Sequence, residues 1–215
     1  MVKYLIGAVA IILIVGGGYY VWEKRGAAPP PEEPMTQEPQ TATYASSTLG
    51  GGISLTYPTD YRVNASYAYE GFVGKPIAGV SFAIPASMVA GTNLSDDTYI
   101  SVESLPRARS CSGDIYLLAN VRAEELSDGG REWSFASSTE AAAGNVYEEH
   151  VYAIPASDPC VAVRYYIHSG NIANFDPGVA TEFDRFALLS AFDAIRRSIV
   201  FPGTMQATTT SNFSP

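Results

Sequence analysis

Between residues 53 and 168 the chain repeatedly alternates apolar and polar side chains with a period of two. In ISLTYP, Ile53, Leu55 and Tyr57 share one side. In VSFAIP, residues 80–85, Val80, Phe82 and Ile84 do the same, and in TYISVESLP Ile100 and Val102 oppose Ser101 and Glu103. VAVRYYIHS sets Val161, Val163, Tyr165 and Ile167 inward, with Arg164, Tyr166 and His168 outward. This is the pattern of an antiparallel sheet with one covered face. Ser127-Asp128-Gly129-Gly130, between Leu126 and Trp133, has the composition of a hairpin turn. Near the C-terminus the period changes. Leu188, Ala191, Phe192, Ile195 and Ile199 recur at helical spacing. Thr181 and Asp184 predict a capping box with Asp in place of Glu. Asp193 and Arg197 pair at i,i+4 on the opposite side, and Arg196 and Arg197 lie where the helix dipole favours cations. A second, shorter helix is expected in DIYLLAN, residues 114–120.

The two ends read differently. Residues 4–22 are an uncharged run of 19 residues, close to the roughly 20 that a helix needs to cross hydrocarbon. Tyr19, Tyr20 and Trp22 at its far end suit a membrane interface. We read residues 1–25 as an uncleaved transmembrane anchor. The alternative is a cleavable signal peptide, against which stand a long apolar region and bulky tyrosines directly after the small residues at 16–18. Residues 26–48 are rich in Pro, Thr, Glu and Ala and nearly empty of large apolar side chains. They are expected to form a disordered Pro-rich linker, because too little apolar surface is available to offset the entropy of ordering. Residues 49–201 make one globular domain, and the Thr- and Ser-rich residues 202–215 a disordered tail.

Charge and cysteine usage narrow the function classes. The net charge is −9 and the basic residues are scattered, apart from Lys24-Arg25 and Arg196-Arg197. That argues against nucleic acid as a partner, which requires clustered cations. Lys24 and Arg25 follow the apolar run while Lys3 precedes it, so the flanking Lys/Arg count slightly favours the wrong end for export. Beyond Arg25, however, ten Lys/Arg face 21 Asp/Glu, and both cysteines lie there. The reading is a single-pass membrane protein with a short inside N-terminus and an extracytoplasmic body. In such a body Cys111 and Cys160, with no cysteine spare, suggest one disulfide; two buried free thiols in a cytosolic domain are the alternative. No CxxC occurs, and no ligand spacing suits a zinc site.

Candidate chemistry centres on AAAGNVYEEHVYAIP, residues 141–155, where Glu148 and Glu149 adjoin His150. On a strand, Val146, Glu148, His150, Tyr152 and Ile154 share one face, and Glu149 falls on the other. Glu148 is then about 7 Å from His150 along the strand. His168 on the next strand joins them if the hairpin register allows. Glu148, His150 and His168 are therefore a polar cluster to test, either a solvated face or a site. Glu148 and His150 alone are not the two-His-plus-acid set of a catalytic metal, and no metal, cofactor or catalytic residue is assigned. TNLSDDTYISVE places Asn93, Ser95 and Asp97 at alternate positions like a calcium loop, but lacks its central Gly and terminal Glu. No G-x-S-x-G occurs, and nothing selects a glycosidase-type carboxylate pair. Fourteen tyrosines suit either interfaces or sheet propensity.

The turn Tyr57-Pro58-Thr59-Asp60-Tyr61 and the closing Ile195, Ser198, Ile199 and Phe201 resemble the PsbP-like domain family at both ends of the domain. TNLSDDTYISVE and AAAGNVYEEHVY are similar to segments of uncharacterised extracytoplasmic bacterial proteins. The resemblance implies an α+β fold, an antiparallel sheet covered by helices in an α/β/α sandwich, and a non-catalytic binding or assembly role. The expected function is a membrane-tethered extracytoplasmic module binding a protein or cell-envelope partner. Alternatives are a carboxylate-dependent envelope hydrolase, and an inhibitor of an extracellular enzyme presenting Ser95-Asp96-Asp97.

Overall fold

The computed structural model describes residues 40–201. The expected membrane segment, the linker up to residue 39 and the tail lie outside them; among the described residues no helix is long and apolar enough to cross a membrane. The alternating segments become strands: β1 (Thr41–Ser46), β2 (Ile53–Pro58), β3 (Arg62–Asn64), β4 (Ala68–Tyr69), β5 (Ile77–Ala83), β6 (Tyr99–Leu105), β7 (Glu124–Asp128), β8 (Arg131–Ala142), β9 (Asn145–Ile154) and β10 (Cys160–Gly170). Among the described residues there are two α-helices, the single turn α1 (Ala86–Val89) and α2 (Arg185–Arg197). The main sheet runs β3-β5-β6-β10-β9-β8-β7, entirely antiparallel, with β4 also on β5. β1 and β2 form a separate two-stranded ribbon, joined to the end of α2 by a Ser54–Val200 bridge. The fold is thus α+β and mostly antiparallel sheet.

Several local expectations are revised. Thr41–Ser46, assigned to the disordered linker, is a strand because it pairs along all of β2. Helix α2 starts later than the capping box implied: Asp184 is itself the N-cap and accepts from the Ala187 amide. DIYLLAN holds only a 3-10 turn, Gly113–Tyr116, with no α-helix. Gly113 lies so close to β8 that a Cβ there would sit 2.6 Å from the Ser134 carbonyl oxygen. The hairpin turn at Gly129-Gly130 is as expected, and both glycines adopt positive φ.

The first face of the sheet is the apolar core. Val80, Phe82, Ile100, Val102, Val161, Val163, Tyr165 and Ile167 pack under Leu188, Phe192 and Ile195 of α2 and under Leu55 of the ribbon. Each such side chain contributes roughly 1.5–3 kcal/mol by leaving water. Arg196, in the last turn as the sequence indicates, is buried: it lies over Tyr152 at 4.1 Å and Trp133 at 4.7 Å, and bonds Tyr165, Asp193 and Asp128. It locks the β7–β8 turn onto the helix.

The second face overturns the expectation of an outward polar surface. Ser101, Glu103 and Arg164 are all buried. Arg164 Nη2 donates to the hydroxyls of Tyr67 at 2.5 Å and Tyr99 at 2.7 Å. Nε reaches Glu103 at 3.4 Å, and Nη1 reaches Glu149 at 3.3 Å. The guanidinium lies 4.5 Å from the Tyr69 ring and 5.8 Å from that of Tyr116. Burial opposes its charge, but Glu103, then Tyr99 and Tyr67, hold its pKa above the ordinary guanidinium value.

No second helical layer covers this face among the described residues. Residues 106–123 cross it as a loop instead, held at Cys160 by the disulfide from Cys111, with Ile115, Tyr116 and Leu117 packed on Val151, Ala153 and Ala162. A short covalently fixed loop replaces a helix here because the polar centre leaves only a small apolar patch to bury.

Two outcomes test this account. Arg164→Ala should cost about 3–5 kcal/mol in urea unfolding, because Glu103 is left as an uncompensated buried charge; Arg164→Met combined with Glu103→Gln should recover much of the loss. In denatured unreduced protein Cys111 and Cys160 should resist maleimide and label only after reduction, and replacing both with Ser should remove about 4 kcal/mol.

Candidate functional site

The β9–β10 register decides which residues of the expected cluster meet. Ile154 pairs with Val161, which sets Tyr165 opposite His150 and Tyr147 opposite His168. Glu148 and His150 share the first face, as alternation requires, with Glu148 Oε2 3.5 Å from His150 Nε2. His168 is on the second face. It stacks on Tyr147 at 4.5 Å, its Nδ1 lies 2.8 Å from Asp97, and its Nε2 lies 3.1 Å from Asn145. The two histidines are therefore separated by the sheet, and the expected three-residue cluster does not assemble. Residues on adjacent strands meet only when the register gives them the same parity.

Glu148 finds its main partner outside the sheet. Arg185, the first residue of α2, donates to its Oε2 at 2.6 Å. Contact with His150 and then with Arg185 outweighs burial and draws the Glu148 carboxyl down to about 2. His150 lies against Tyr165 and Phe135. A 350 Å³ depression reaches Glu148 and Arg185, but neither His150 nor His168 lines it. The calcium-like loop is likewise committed internally. Asn93 donates to Gly170 and accepts from Phe183, and Asp97 holds His168. Among the described residues no three His, Cys, Asp or Glu side chains converge as a metal site. The tyrosines serve the interior: Tyr67, Tyr69, Tyr99, Tyr116 and Tyr166 surround Arg164, while Tyr61, Tyr152 and Tyr165 are in the core.

A larger concavity lies elsewhere. It is a cleft of about 620 Å³ between the β4–β5 connection and the start of the loop that roofs the second face. Its apolar lining includes Leu49, Phe72, Ile77, Leu105 and Ile115. Ile77 and Leu105 belong to the small apolar patch beside the disulfide. Phe72 is anchored by the aromatic box, stacking on Tyr116 at 6.1 Å and meeting Tyr69 edge-on. Lys75, Arg107 and Arg109 also line it, and among the described residues no carboxylate does. None of the three cations forms an ion pair among the described residues, whereas Arg164, Arg185, Arg196 and Arg197 all do. Arg107 donates only to the Pro76 carbonyl, at 3.3 Å. Sequence reading passed over these residues because the cations come from two segments some thirty positions apart. The available signal was RAR at 107–109, two cations with period two directly after a strand in an acidic chain.

No family model and no curated protein matches the chain. Among solved structures, a crystal structure from Bacteroides thetaiotaomicron VPI-5482 is similar at a TM-score of 0.41 and 12% identity. The match covers 74% of this chain and 47% of that one, so this chain spans about half the length of its structural neighbour.

Proposed function

We propose that this chain is a membrane-tethered, extracytoplasmic binding module without catalytic activity, and that the cleft lined by Leu49, Phe72, Ile77, Leu105 and Ile115 receives an apolar component of the cell envelope. The observation that carries the reading is the cleft itself. Its 620 Å³ lies within the roughly 300–1,000 Å³ typical of ligand sites, and its walls are apolar. The disulfide supports an oxidising compartment. An anchor at residues 4–22 would hold the domain at a membrane surface. In fold terms we read the domain as a PsbP-like variant in which loops replace the second helical layer. The hydrolase alternative is less well supported, since Glu148 is held by Arg185 and His168 lies on the other face of the sheet. The inhibitor alternative is weakened because Asp97 is occupied by His168.

The full chain in zwitterionic nanodiscs should be labelled saturably by a photoreactive long-chain alcohol, with adducts mapped to residues 72–78 and 104–109. Ala78→Trp, at an exposed position of the lining, should abolish that labelling while circular dichroism stays unchanged. Absence of saturable labelling, or labelling indifferent to Ala78→Trp, would overturn the reading. The role given to Glu148 is tested separately. Its depressed pKa contributes stability that is complete above about 4.5 and lost as pH falls toward about 2. Glu148→Gln should therefore cost about 2 kcal/mol at pH 7, allowing for the half-exposed Arg185, and almost nothing near pH 2, as read by denaturant midpoints. It should leave labelling of the cleft intact.

A further inference from the structure

The charge pattern of the cleft specifies its occupant more closely. Across residues 40–201 the domain is acidic, with ten Lys/Arg against eighteen Asp/Glu. Three of those ten cations line one cleft that no carboxylate enters. Lys75, Arg107 and Arg109 come from both walls, are exposed, and lack an ionic partner among the described residues. Elsewhere Arg164 pairs with Glu103 and Glu149, Arg185 with Glu148, and Arg196 and Arg197 with Asp128 and Asp193, while Arg62, Arg122 and Arg131 donate to backbone carbonyls. Three unneutralised cations at the rim of an apolar floor form a surface with two chemistries. It complements a molecule with an apolar body and one anionic end.

Resting on the binding reading above, we propose that the cleft takes a single-chain anionic amphiphile, an aliphatic tail with a carboxylate or phosphate head. The tail lies over Ile77 and Leu105 against Phe72 and Ile115. The head lies among Lys75, Arg107 and Arg109. An extended peptide fits less well. Its backbone N–H and C=O groups need partners throughout their length. Among the described residues the only uncharged polar side chains in the lining are Thr48 and Ser104, and the cleft floor is apolar. An aliphatic chain makes no such demand. Its one polar end meets two guanidinium groups, whose geometry suits carboxylate and phosphate alike. Lys75 adds a third, more mobile point charge.

The test uses the full chain in zwitterionic nanodiscs and three photoreactive probes of equal chain length: a carboxylic acid, a monoalkyl phosphate and an alcohol. Acid and phosphate should each label residues 72–78 and 104–109 at about tenfold lower concentration than the alcohol. Added salt should narrow the gap. The triple variant Lys75→Gln, Arg107→Gln, Arg109→Gln should bring acid and phosphate to the alcohol's level and leave alcohol labelling unchanged. A stronger response to phosphate than to acid would assign the head as a phospholipid-type phosphate, and the reverse a free fatty-acid carboxylate; either supports the proposal. Equal labelling by all three probes in the unmodified protein would overturn the anionic ligand while leaving an apolar binding cleft. No labelling of the cleft by any probe would overturn both. Capture of an acidic peptide at the cleft with no labelling by the amphiphiles would replace the ligand with a protein segment.

Discussion

The burial of one guanidinium at the centre of a sheet constrains everything built on that side of the molecule. Arg164 stands in the middle strand, where its neighbours β6 and β9 supply Glu103 and Glu149. A buried charge costs several kcal/mol unless it is paired and hydrogen-bonded. The sheet alone supplies the two acids and Tyr99. Tyr67, Tyr69 and Tyr116 must be carried in by the β3–β5 region and by the loop after β6. The second face can therefore close only when those segments fold over it. The Tyr116 hydroxyl is buried beside Glu103, and burial, followed by the Glu103 charge, raises its pKa.

That requirement also produces the cleft. The roofing loop is fixed at Cys111, and the β4–β5 connection is fixed at Tyr69 and Phe72. The two segments meet through Phe72 on Tyr116 and through Arg107 on the Pro76 carbonyl, and between these contacts Ile77 and Leu105 line an apolar floor. A concavity whose walls are positioned by a disulfide and an arginine–aromatic box suits a binding site, since little ordering remains to be done when a ligand enters. Arg196 plays a related part on the opposite face, joining the β7–β8 turn, the core aromatics and α2 through Asp128, Trp133, Tyr152 and Tyr165. The domain thus holds each of its layers with a buried arginine against aromatic rings.

The residues that look most like chemistry in the sequence have structural employment. Glu148 ties β9 to the start of α2 through Arg185. His168 joins the β10 end to Asp97 and Asn145. These contacts connect segments that would otherwise fray at the far end of the long β9–β10 hairpin. The residues better placed for function, Lys75, Arg107 and Arg109, form no ion pair among the described residues and are exposed beside an apolar floor. An unneutralised charge beside an open apolar surface is more informative about binding than a charge already satisfied internally.

The amino-acid sequence by itself determined strands β2, β5, β6, β9 and β10, the hairpin turn at Gly129-Gly130, the apolar stripe of α2 and the separation of Glu148 from Glu149. Each follows from a period of two or 3.6, which is local geometry. It also carried the cysteine pair, because an even count with no spare constrains the pairing. Only the tertiary structure decided which polar residues are buried. Alternation places Arg164 on the face opposite Val163, but whether that face meets water depends on loops that arrive from residues 67 and 116. Register separated His150 from His168, since pairing across a hairpin is set at its turn and not by either residue. Thr41–Ser46 became a strand through its partner β2, an interaction its own composition does not announce. The cleft needed two segments some thirty positions apart to be brought face to face, and no periodicity along one segment records what stands across from it.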